Sequence, residues 1–186
     1  MKPKTLLPIE ILTESFTYDP ENGKLFWKNR PLSHFSDQHW QRVFNAKYPG
    51  TEAGHEHFQR DDRRAGIRVL ISFNAKPHHC YAHKIIYALM GIEVPLGFHV
   101  DHKDGNPFNN LWSNLRLATG SQNCANRRKG NGPLPKGVRQ YGDKFIAQIG
   151  IGGIKRHLGI FLNPSDAHAA YCAKAKELSG EFARFN

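Results

Sequence analysis

Between two short apolar segments, Phe98 to His102 and Leu115 to Ala118, the chain runs through Lys103-Asp104-Gly105-Asn106-Pro107-Phe108-Asn109-Asn110-Leu111-Trp112-Ser113. This stretch continues neither a strand nor a helix. Gly105 permits positive φ, Pro107 fixes φ, and the asparagines bond to their own backbone, all of which favour turns. The flanking segments are therefore predicted to pair as a hairpin across a long loop. Thr119 or Ser121 then caps a helix expected to run to about Arg128. Strand, loop, strand and helix in that order bring Asp101 and His102 against Asn123, which lies 22 and 21 residues further on.

The residues so gathered have complementary chemistry. Asp101 offers a carboxylate oxygen and Asn123 an amide oxygen, the ligand type a hard divalent cation prefers. His102 carries an imidazole that titrates near working pH and takes a proton from water. Asn114 and Asn123 follow it at 12 and 21 residues, and Asn126 is the alternative second ligand one helical turn later. Alone, Asp101 reads as a turn residue and His102 as a packed histidine. Together with the asparagines they read as one-metal phosphodiester chemistry. His99 reads as a strand histidine, Asn109 and Asn110 as turn residues, and His55-Glu56-His57 as a solvated loop without a partner motif.

The words around these residues, VDHKDGNPFNNLWSNLRLATGSQN, resemble the HNH endonuclease family over about residues 98 to 127. The resemblance implies a ββα-metal finger holding one divalent ion, Mg²⁺ ahead of Mn²⁺, on Asp101 and Asn123. It implies His102 as general base and Asn114 as the asparagine that ties the loop and holds the base. The implied products are a 5′-phosphate and a 3′-hydroxyl.

Charge agrees with a polyanionic partner. The net charge is +10, and from Arg127 onward 11 Lys and Arg face 4 Asp and Glu, so most of the excess lies there. That segment contains no basic amphipathic helix with an aromatic face, which favours nucleic acid over a membrane surface. No window approaches the roughly 18 apolar residues of a membrane span. The start, MKPKTLLPIEIL, lacks the apolar core of a signal peptide. Cys80, Cys124 and Cys172 are odd in number and form no CxxC pair, so a reducing, cytoplasmic setting is expected, the host cytoplasm if the gene is phage-borne. No GxxxxGK[ST] segment points to a nucleotide cofactor.

Residues 1–95 read as mixed α and β. A turn cluster, Thr17 to Lys24, precedes an aromatic strand at Leu25-Phe26-Trp27; Ile67 to Phe73 turns through Asn74-Ala75-Lys76-Pro77 into a strand at His78 to Tyr81; and His83 to Met90 is helical, with Ile86, Leu89 and Met90 on its apolar face. Ser33 to Arg64 is polar and gives no periodicity. Residues 96–128 hold the finger, and 129–136 a basic linker rich in Gly and Pro.

Past the linker, Gly137 to Tyr141, Lys144 to Ile151 and Ile154 to Phe161 read as three strands. Asn163 caps a helix that Pro164 and Asp166 open and Gly180 ends, with Ala167, Ala170, Tyr171, Ala175 and Leu178 as its sheet-facing side. Residues 137–186, with the words GVR, LGIF, AYCAKAKEL and FARFN, look like an Apetala/ethylene-response-factor DNA-binding domain. In that family a three-stranded sheet enters the major groove. The resemblance puts Arg139, Tyr141, Gln148, Gly150, Lys155 and His157 on the reading face. The family's usual strand-face Trp and two Arg positions are absent here, which shifts the work toward phosphate contacts. The expected DNA-contacting set is Arg127, Arg128, Lys129, Arg139, Tyr141, Lys144, Gln148, Lys155, Arg156 and His157.

The expectation is thus an α+β protein: a mixed N-terminal region, a ββα-metal finger, and a three-stranded antiparallel sheet packed on one helix. It would cut double-stranded DNA as a phage-associated or homing-type endonuclease, nicking as a monomer. The competing reading is a DNA-binding regulator that keeps the finger only as a fold element.

Overall fold

The computed structural model describes residues 6–58, 66–130, 132–151 and 153–186. It is α+β, with small antiparallel sheets and a C-terminal helix. The chain divides into two compact units, Met1–Leu96 with Asn106–Arg116, and Gly97–Gly105 with Leu117–Asn186.

The first unit opens with α1 (Ile9–Ser15) and a hairpin of β1 (Phe16–Asp19) and β2 (Lys24–Trp27). Phe16 pairs with Trp27 and Asp19 with Lys24. Asp19 closes the turn by accepting from the Asn22 side chain and from the backbone N–H groups of Asn22 and Glu21. Those bonds, the Asn22 side chain first, hold its carboxyl below the usual range.

The region the sequence left blank contains α2 (Gln38–Lys47) and β3 (His55–His57). Asp37 caps α2, its carboxylate accepting from Trp40 N–H. Residues 59–65 lie outside the described residues. β3, β4 (Gly66–Phe73) and β5 (Lys76–Tyr81) form a sheet in that order. The second strand of the sequence-predicted hairpin starts earlier than expected, and Pro77 is tolerated because β5 is an edge strand.

α3 (Ala82–Leu89) packs on α1 and β4 through Ile85 and Ile86, with Leu12, Val69 and Ile71 completing the core. Met90, expected on the apolar face, instead follows the helix and is exposed, because Gly91 turns the chain there.

A buried cation explains why residues 27–48 fold as they do. Arg30 is 2% exposed, and its guanidinium sits 4.8 Å from the Phe35 ring centre, 5.0 Å from Phe44 and 5.9 Å from Trp27. Its Nη2 donates to Ser72 O at 2.7 Å and its Nε to His34 Nδ1 at 3.2 Å. An arginine only donates, so His34 Nδ1 is bare and the ring proton sits on Nε2, donating to Glu14 at 2.7 Å. Burial pushes Arg30 down to about 10 and lowers His34, against the pull of Glu14.

The unit also grips residues 106–116. Tyr18 Oη donates to Asn110 O at 2.7 Å, the Tyr87 and Trp112 rings meet at 5.1 Å, and the Phe58 and Phe108 rings at 5.2 Å. Burial, with the Asp19 charge second, pushes the Tyr18 phenol up to about 12. Gly23, at φ 68°, lies so close that a Cβ there would stand 2.6 Å from Leu111 N. The N-terminal region therefore clamps this loop.

The second unit contains β6 (Phe98–His102), most of β7 (Leu115–Thr119) and α4 (Gly120–Ala125); β6 and β7 pair as a two-stranded sheet. Its remainder is an antiparallel sheet of β8 (Val138–Tyr141), β9 (Lys144–Ile151) and β10 (Ile154–Phe161), ordered β10-β9-β8, covered by α5 (Pro164–Ser179). Asn163 caps α5, accepting from Asp166 N–H at 2.9 Å. Ile149, Tyr171 and Ala175 form the core, joined by Leu158, Cys172 and Ala183. Leu178, expected on the sheet-facing side, is instead 41% exposed in the last turn of α5.

Candidate active site

Thr119 builds the helix end that the site needs. Its hydroxyl accepts from Gln122 N–H while the Gln122 side chain accepts from Thr119 N–H, a closed capping box. α4 then ends at Ala125, three residues before the predicted Arg128. Asn126 is the reason. It is the C-cap of α4, and its side chain turns away from the helix to meet β6.

Asn126 Nδ2 donates to Asp101 Oδ1 at 3.1 Å, to Asp101 Oδ2 at 2.9 Å and to His102 O at 2.7 Å. Asp101, His102 and Asn126 are all buried, at 6, 8 and 6% exposure. Asn123, one turn earlier on the same side of α4, is half-buried, and its side chain makes no hydrogen bond among the described residues. One asparagine is thus committed to orienting Asp101, and the other keeps its amide oxygen available.

This donor set suits a divalent cation of the magnesium class. Asp101 and Asn123 offer oxygen, and such an ion takes one or two protein ligands while water and phosphate fill the rest. Among the described residues no cluster of three or more His, Cys, Asp or Glu exists that would make a closed cage.

Asn114 belongs to the first unit and is buried, its Nδ2 donating to Asn109 O at 2.8 Å. Asn106 and Asn109 accept from Phe108 and Leu111 N–H, so a chain of asparagine turns holds the loop. His99 and His55 are exposed.

In the C-terminal sheet, register sorts the basic residues. Arg139 pairs with Ile146, Tyr141 with Lys144, His157 with Gln148 and Lys155 with Gly150. Paired residues share a face and alternate along each strand, so Arg139, Tyr141, Lys144, Gln148, Gly150, Lys155 and His157 all stand opposite the α5 side. Arg156 pairs with Ile149, which packs under α5, and lies on the other face. Arg127 and Arg128 are exposed after α4. Lys129 is partly spent, its Nζ donating to Gly132 O and Leu134 O.

Two residues escaped the sequence. Lys136 Nζ donates to Ala125 O at 2.9 Å, Arg127 O at 2.6 Å and Arg184 O at 2.8 Å; burial, then the Arg184 charge, pushes it down to about 8. Arg184 Nε donates to Asn126 Oδ1 at 3.2 Å. Nothing in the sequence near Lys136 marks it. Arg184 stands in the FARFN word, read there only as a domain ending.

Residues 80–125 match the family model of HNH endonucleases. That match takes in Asp101, His102, Asn114 and Asn123 and stops one residue short of Asn126. A protein of Acanthamoeba polyphaga mimivirus, described as an uncharacterized HNH endonuclease, is 39% identical over 107 residues, 56% of this chain and 56% of its own length. The chain thus spans about half the length of the curated relative it matches. No solved structure matches. Among the described residues no helix is long and apolar enough to cross a membrane.

Proposed function

We propose that this protein is a metal-dependent DNA endonuclease of the HNH type, phage-associated or homing in character, whose C-terminal sheet binds the duplex. The observation that carries the reading is the Asn126 amide holding both carboxylate oxygens of Asp101 beside His102, with Asn123 unengaged one turn away. Residues 96–128 act as a ββα-metal finger. Asp101 and Asn123 would hold one Mg²⁺ or Mn²⁺. Such a cation, when bound, supplies charge neutralisation at the scissile phosphate and at the departing 3′ oxygen. His102, neutral, accepts the proton of the attacking water and the departing 3′ oxygen takes a proton from solvent water, leaving a 5′-phosphate and a 3′-hydroxyl. Asn114 ties the loop that follows the base.

The sheet face of Arg139, Tyr141, Lys144, Gln148, Lys155 and His157 fits an Apetala/ethylene-response-factor-like docking on duplex DNA. Arg127, Arg128 and Lys129 add phosphate contacts, and Arg156, on the other face, reaches only a flanking phosphate. With one finger per chain, a monomer nicks one strand, working in the cytoplasm of the cell that holds its target.

Supercoiled plasmid incubated with wild type and His102→Ala, in Mg²⁺ and in EDTA, tests this. The wild type should nick only with metal, and the variant should lose about 10²–10⁴-fold in rate while still shifting DNA in a gel. Binding without metal-dependent nicking by the wild type would refute the enzyme reading in favour of a DNA-binding regulator.

A further inference from the structure

The amide of Asn126 has two ends, and only one faces Asp101. The other, Oδ1, accepts from Arg184 Nε at 3.2 Å, and Arg184 Nη2 donates to Lys103 O at 3.2 Å, one residue past His102. Arg184 lies beyond α5 of the C-terminal sheet domain, 58 residues after Asn126.

Its position is held on both sides. Arg184 N–H donates to Ala125 O, and Arg184 O accepts from Lys136 Nζ, which also binds Ala125 O and Arg127 O. Space is made for it too. A Cβ on Gly105 would stand 2.9 Å from Arg184 Nη2 and 3.0 Å from Cζ.

We propose that Arg184 is a positioning residue for the metal centre, and so that the DNA-binding domain supplies part of the nuclease's support. The physical reason is polarity. An asparagine amide rotated by half a turn would aim Oδ1 at the Asp101 carboxylate, placing three oxygens against one another. A guanidinium only donates, so it bonds the oxygen end of the amide alone and forces Nδ2 toward Asp101. Two donors of one rigid fork, on Asn126 and on Lys103 O, fix the amide and the strand end together. A lysine at this place carries its donors on one nitrogen and lacks the rigid planar fork that spans both acceptors.

This inference rests on the reading of Asp101 as a metal ligand. Mn²⁺ binding to the full chain without DNA, followed by electron paramagnetic resonance, separates the two. Asp101→Asn should abolish specific binding. Arg184→Met should weaken it roughly tenfold or more, as loss of a group supporting a metal ligand does, with Arg184→Lys in between. In an Asn126→Ala background, Arg184→Met should cause no further loss, because the amide through which it acts is gone.

Wild-type affinity in Arg184→Met, with Asp101→Asn inactive in binding, would overturn the positioning role and leave the nuclease reading intact. Additive losses from Arg184→Met and Asn126→Ala would also overturn it, marking Arg184 as a general stabiliser. Wild-type binding by Asp101→Asn would overturn the metal-ligand reading itself. Should Arg184→Met fail to fold, Arg184→Lys alone and in the Asn126→Ala background carries the same comparison.

Discussion

Gly23 offers the sharpest test of how the N-terminal region holds the loop. Replacing it with Ala has two costs. One is conformational: φ is 68°, where an L side chain loses about 1 kcal/mol. The other is steric. The new Cβ would lie 2.6 Å from Leu111 N and 2.7 Å from the Asn110 carbonyl carbon, both backbone atoms without a rotamer to yield. Overpacking of this kind costs about 1–3 kcal/mol. Gly50 separates the two, since its φ is 79° and nothing lies within 4 Å of its Cβ position. Gly50→Ala should therefore lower stability by about 1 kcal/mol, and Gly23→Ala by about 2–4 kcal/mol. At about 2–4 °C per kcal/mol for a chain of this size, the Gly23 variant should melt several degrees below the Gly50 variant. Paired thermal melts followed by circular dichroism measure this. Equal losses would show that residues 110 and 111 are not pressed against the hairpin.

Two further outcomes follow from the structure. His34 is neutral in the fold and its pKa is lowered, so its contribution is complete above about 6.5 and is lost as pH falls through the folded value; the slope of Tm between pH 7 and 5 should flatten in His34→Gln, and an unchanged slope would place the acid sensitivity elsewhere. Removing Arg139 and Lys155 together should weaken duplex binding and reduce the slope of log affinity against log salt by up to about 2, whereas Arg156→Ala should change it less; equal slopes for all three proteins in a fluorescence-anisotropy titration would dismiss the open sheet face as the DNA contact.

Much of the architecture was legible because it was written locally. The Asp19 turn, the β4–β5 hairpin and the Asn163-Pro164-Asp166 cap are each set by neighbours within a few residues. The two strands flanking the long loop were legible too, Phe98–His102 as expected and Leu115–Thr119 one residue longer than the expected Leu115 to Ala118. Long-range capture was not. α4 stops at Ala125 because Asn126 is drawn to a carboxylate 25 residues away, and no local signal distinguishes it from a continuing helix. Asn123 and Asn126 look alike in the sequence, and only their partners separate them. Arg30 drew no reading for the same reason: nothing beside a lone cation signals that Trp27, Phe35 and Phe44 will close around it. Arg184 was hidden because the two segments it joins read as separate modules.

The link between Asn126 and Arg184 also has a temporal side. A ribosome adding about 5–20 residues per second delivers Arg184 roughly 3–12 s after Asn126, given the 58 residues between them. For that interval a nascent chain carries Asp101, His102 and Asn123 without the donor that orients the amide behind them. In the nuclease proposed above, a centre assembled in this order matures only after the sheet proposed to bind DNA has been made, so synthesis itself would delay cleavage until that sheet is present.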